Sequence, residues 1–174
     1  LEGHGELDPD AFEGSSASDW KKALADQGAQ VEKLNLARAK EVPENAALVV
    51  LAGPETDLFP HETQALDAYL ERGGRLLVAL SAEKAAEENG LPKLDAWLKN
   101  RFGLEPARGY VLDPVSQVIV GDALTPLVQQ YSPHPITRDF TVMTLYPTSC
   151  ALLSVGNATP KASELFSSTE QAWL

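Results

Sequence analysis

The chain has 174 residues, 44% of them hydrophobic and 22% charged, and its 25 acidic against 14 basic side chains give a formal charge of −11. This suits one ordinary globular domain that buries roughly 70% of its unfolded surface, and the charge argues against nucleic acid and anionic lipid as partners. No apolar run approaches the roughly 18 to 20 residues of a membrane span, no basic start followed by an apolar stretch reads as a signal peptide, and the single Cys150 excludes an intrachain disulfide while leaving the compartment open.

In chain order, Asp19 to Gly28 places Trp20, Ala23, Leu24 and Gln27 at i, i+3, i+4 and i+7 behind Ser15, Ser16 and Ser18, which predicts a short amphipathic helix capped at both ends. Gln30 to Leu36 alternates and predicts an edge-like strand, and "ALVVLA" at 47 to 52 predicts a buried parallel strand. Pro60 suits a first helical turn, Glu62 suits the N-terminal dipole, and Leu66, Tyr69 and Leu70 form a stripe ending at Gly73-Gly74. "RLLVAL" at 75 to 80 reads as a second buried strand, and Pro92 to Phe102 as a helix with Leu94, Trp97, Leu98 and Phe102 inward. With a strand expected before Gly3, the alternation implies a mostly parallel open α/β sheet flanked by helices.

Beyond residue 103 the patterning predicts a β-rich C-terminal extension, 104 to 174, on an α/β core of 1 to 103, the whole forming a single domain. Short strands are expected at 107 to 113, 116 to 121, 150 to 155 and 162 to 168, with a helical turn over Thr125 to Tyr131. In "YSPHPITRDF", 131 to 140, Pro133 and Pro135 forbid regular helix and predict an extended loop. Both ends read as cut from a longer chain.

Ligands of parallel α/β sheets bind beyond the carboxyl ends of the strands. The loops 3 to 10, 53 to 59 and 81 to 90 there carry Glu6, Asp8, Glu55, Asp57, Glu83, Glu87 and Glu88 against Lys84 alone, which predicts an acidic edge. In Gly3-His4-Gly5-Glu6, His4 and Glu6 have the chemistry of an acid/base or ligand pair, but structural zinc asks for four protein ligands and catalytic zinc for three, so a glycine-turned loop is the better reading. His134, in its Pro-His-Pro setting, reads as part of a rigid loop. "HETQA" at 61 to 65 has Ala65 where H-E-x-x-H needs its second His, and neither a phosphate cradle nor a hydrolase elbow is present. Cys150 in "PTSCALL" reads as a structural thiol, and Asn157-Ala158-Thr159 matches a glycosylation sequon.

Taken together, "GHGE" after a strand position, the long stretch from "KLNLARAKEVPENAALVV" to "RLLVAL", the late "YSPHPIT" and the terminal "LFSSTEQAWL" resemble the auxiliary component of an uncharacterised ABC-type transport system, the family that includes the gliding-motility ABC transporter auxiliary protein. The resemblance implies a bacterial ectodomain with a class I glutamine amidotransferase-like (flavodoxin-like) three-layer sandwich. It would be anchored by helices outside this segment on the periplasmic face of the inner membrane. ABC permease and ATPase subunits, or other envelope proteins, are its implied partners, with no cofactor. The amidotransferase nucleophile sits in a Gly-x-Cys-x-Gly elbow after a strand, whereas "SAEKAAEEN" follows "RLLVAL" here, so that chemistry is not expected. The expected function is therefore non-enzymatic binding through His4, Glu6, Glu55, Asp57 and His134, each a polar contact or a loop former. The rivals are a metal-dependent or amidotransferase-like hydrolase using the GHGE loop and His134, and a structural scaffold without ligand.

Overall fold

The computed structural model describes residues 1–12, 16–156 and 162–174; Ser15 and the Asn157-Ala158-Thr159 sequon lie outside the described residues. The chain forms two compact units, Leu1–Leu80 and Ser81–Leu174.

In the first unit, helix α1 (Ser18–Asp26) and the short helix α2 (Leu36–Ala39) precede strand β1 (Val49–Ala52), helix α3 (Pro60–Glu71) and strand β2 (Leu76–Ala79). The two apolar runs pair in parallel, from Val49 opposite Leu76 to Ala52 opposite Ala79, with α3 as the crossover. Val49, Leu51 and Ala52 from β1 and Ala65, Leu66 and Tyr69 from α3 are buried, each large aliphatic side chain contributing about 1.5–3 kcal/mol. Tyr69 also donates its hydroxyl to the Ala46 carbonyl at 3.1 Å, and Arg72 lies over the Tyr69 ring at 5.2 Å. Polar ends thus pin an apolar helix face to the segment before β1.

Two expectations fail in this unit. Segment 30 to 36 is no strand: the Asn35 side chain accepts the Arg38 N–H at 3.1 Å and starts α2, the cap overriding the alternation. Helix α1 forms, but Ala17 caps it without a side-chain bond and none of its residues is buried, leaving Trp20 and Leu24 exposed.

The second unit starts with α4 (Ala82–Ala86), N-capped by Ser81, and α5 (Pro92–Phe102), which buries Leu94 and Leu98 and ends at the left-handed Gly103. Strand β3 (Leu104–Pro106), helix α6 (Pro114–Val120), and strands β4 (Leu127–Val128), β5 (Thr144–Leu145) and β6 (Leu152–Ser154) follow. β3 pairs antiparallel with β6, and β4 with β5.

Here the β-branched run at 116 to 121 belongs to a helix rather than the expected strand. Pro114 stands in the first turn, and the Asp113 carboxylate accepts the Val115 N–H at 3.0 Å, so the cap decides the conformation. The stretch expected as a helical turn, 125 to 131, instead supplies β4. Segments 107 to 113 and 162 to 168 yield single bridges, Leu112 to Trp173 and Tyr131 to Phe166. The α/β class holds. Among the described residues, however, the sheets are three two-stranded pairs, of which only β1–β2 is parallel, in place of one mostly parallel open sheet.

Candidate functional site

The loop after β1 and the Gly3 to Asp10 loop lie side by side in the first unit. The His4 carbonyl accepts the Glu55 and Thr56 N–H groups at 2.7 and 3.1 Å, and the Leu7 N–H donates to the Ala52 carbonyl at 2.9 Å. This approach requires the glycine at position 5. Its φ is +79°, and a Cβ there would stand 2.8 Å from Glu55 Cβ, so an L side chain would be strained and would collide.

The bend carries His4 inward to 5% exposure. Its Nε2 lies 2.9 Å from Glu62 Oε2 and its Nδ1 lies 3.4 Å from Glu6 Oε1, and both carboxylates are almost wholly buried. Glu6 Oε2 accepts the His4 N–H at 2.7 Å. Glu62 Oε2 also accepts the Phe59 N–H at 2.8 Å, the N-terminal bond of α3. Ionised carboxylates only accept, so satisfying both ring nitrogens takes an imidazolium or a shared carboxyl proton. Phe59 flanks the imidazole, ring centroids 6.0 Å apart, and stacks on His61 at 5.8 Å. Both nitrogens are occupied from within the protein, and the arrangement ties the loop to the start of a helix.

Of the other residues anticipated from the sequence, Glu55 is exposed and Asp57 half-buried in the same loop cluster. The expected excess of negative charge is reduced there. Lys33 bridges Asp8 and Asp10 at 2.7 and 3.0 Å, and Lys21 pairs with Asp10 at 2.5 Å. These bonds from Lys21 and Lys33 hold the Asp8 and Asp10 carboxyls below the usual carboxylate range.

His134 belongs to the second unit. Its Nδ1 accepts the Ile136 N–H at 3.2 Å, which leaves Nε2 as the protonated nitrogen of a neutral ring. The proline-stiffened loop folds through successive turns, with Thr137 N–H to the His134 carbonyl at 3.0 Å and Phe140 N–H to the Thr137 carbonyl at 3.1 Å. It borders an open cavity of about 580 Å³ whose wall includes Tyr131, His134, Thr137, Arg138, Asp139 and Phe140. Cys150 is half-buried, and burial pushes its thiol up. Among the described residues no group of three or more His, Cys, Asp or Glu side chains is arranged to hold a metal ion.

The model of one protein family, described as "ABC-type uncharacterized transport system", matches residues 1–174, the entire chain. The chain belongs to this family. It is thereby an auxiliary component of an ABC-type transport system. No curated protein matches it. Among solved structures, the mmIFT52 N-terminal domain is similar at a TM-score of 0.66 and 20% identity, over 90% of this chain and 72% of that one; the likeness is one of fold. For this transport-family member, the residue whose place in the site sequence reasoning missed is Glu62, read there only as a helix-start charge. It sits inside the rejected "HETQA" pattern, and its signal was a Glu two residues after a helix-starting proline, the N3 place of a capping box. Arg138 and Asp139 carried no motif and became visible only as the wall of a cavity.

Proposed function

We propose that the chain is a non-enzymatic interaction ectodomain of a membrane-anchored auxiliary subunit, working on the periplasmic face of the bacterial inner membrane. It belongs to a complex with ABC permease and ATPase subunits, in which it docks on the permease or on another envelope component. The observation that carries this reading is the environment of His4. The one histidine of the GHGE loop is buried with both nitrogens against buried carboxylates, so it builds the loop rather than meeting a substrate. Contact with a partner then falls to the outer residues of the same cluster, Glu55 and Asp57, with His4 and Glu6 fixing the loops beneath them.

The β1–α3–β2 unit is a parallel element of the kind that an amidotransferase-like, flavodoxin-like sandwich is built from, and it is the feature that supports a relation to that group. The stretch after β2 enters α4 with Ser81 as its cap and offers no thiol for the amidotransferase reaction.

The test is crosslinking in native membranes, followed by purification of the full-length protein and mass spectrometry of what accompanies it. Permease and ATPase subunits should co-purify, and the charge reversals Glu55→Lys and Asp57→Lys together should reduce their recovery at unchanged expression. Recovery of neither subunit, or recovery indifferent to both reversals, overturns the reading.

A further inference from the structure

The cavity of the second unit is not used by the interaction reading, and its chemistry is specific. Its volume, about 580 Å³, lies in the range of small-molecule sites, roughly 300–1,000 Å³. Two oppositely charged neighbours, Arg138 and Asp139, border it. Both side chains are exposed, and among the described residues neither makes an ion pair or hydrogen bond with another residue or with the other. Asp139 takes a left-handed φ of +64°, a conformation that Asp tolerates better than most residues. The loop that presents them is braced: Thr137 Oγ1 donates to the Ser132 carbonyl at 2.6 Å, and Tyr131 meets Phe140 edge-on with ring centroids 4.9 Å apart. The Tyr131 hydroxyl is spent on Thr144 Oγ1 at 2.5 Å, so its ring offers apolar surface.

We infer that this cavity is a binding site for a small zwitterion of the amino-acid type with an apolar side chain. Its carboxylate pairs with the Arg138 guanidinium, assisted by the His134 Nε2–H. Its ammonium pairs with the Asp139 carboxylate, and its side chain lies against Tyr131 and Phe140. The charge of the chain favours this ligand class over its neighbours. A formal charge of −11 repels a simple anion, and a simple cation would leave Arg138 without a counter-charge, whereas a net-neutral zwitterion satisfies both groups.

Calorimetric titration of the 174-residue chain with L-leucine tests this, with N-acetyl-leucine and leucine amide as probes that each lack one of the two charges. Saturable binding of leucine at about millimolar dissociation constant or tighter is expected. Each single-charge analogue should bind at least about tenfold more weakly. Arg138→Gln and Asp139→Asn should each lower leucine affinity by a similar factor, with the circular dichroism spectrum and melting temperature of the wild type. No saturable heat with leucine, or an analogue binding as well as leucine, overturns the inference. Leucine affinity unchanged in both variants also overturns it.

Discussion

His4 and Glu62 stand 58 positions apart and share one short contact, and their burial sets what that contact is worth. Removing one partner of this buried contact leaves the other polar group unsatisfied, at a cost of about 1–3 kcal/mol. Glu62→Ala also deprives Phe59 of its capping acceptor, so its urea midpoint should fall by the equivalent of about 2–4 kcal/mol, and His4→Ala should fall by less. Asp113 permits a prediction with a sign. Burial alone would raise its carboxyl, but this is outweighed by hydrogen bonds from Thr169 Oγ1 and the Val115 and Ser116 N–H groups, so the folded value lies below the ordinary one. A depressed folded value means that this stabilisation is fully present above about pH 4, the unfolded range, and is lost as pH falls through the folded value. Asp113→Ala should therefore cost about 2 kcal/mol at pH 7, and the gap to wild type in urea unfolding should narrow toward pH 3. At this scale the sequence was legible wherever a local rule applied, as for the Glu62 helix start. It was silent on which distant His that carboxylate would meet.

Elements were legible where pattern and punctuation agreed. The runs at 47 to 52 and 75 to 80, each bounded by turn residues, became β1 and β2, and the Pro-started stripes at 60 and 92 became α3 and α5. They failed where a cap competed with the pattern. Asn35 turned an alternating stretch into a helix start, and Asp113 with Pro114 did the same to a β-branched run. The exposed stripe of α1 marks a third cause, since periodicity places apolar residues on one face without saying what covers that face. The βα crossover depends on Leu66, which is fully buried on α3. Leu66→Ala should destabilise the first unit by about 2–5 kcal/mol through lost transfer energy and the cavity left behind, read as a lower urea midpoint.

For the whole molecule, composition indicated a folded globular protein, the order of predicted elements its α/β class and the quoted motifs its family, while strand pairing was beyond all three: runs of two or three residues, as in β3 to β6, carry no detectable period. The charge of −11 has a bulk consequence. Like-charge repulsion disfavours the compact state, so the melting temperature should rise when sodium chloride is increased from about 10 to about 150 mM, which shortens the screening length from about 30 to about 8 Å; a fall would show that surface ion pairs such as Lys33 with Asp8 outweigh the repulsion. The single Glu62 oxygen that accepts from both Phe59 and His4 reaches further than either bond. Because His4 in turn holds the amides of Glu55 and Thr56 through its carbonyl, the first turn of α3 and the loop after β1 cannot open independently. The amide protons of Glu55, Thr56 and Phe59 should therefore show one common opening free energy in hydrogen exchange, as a single cooperative breathing unit.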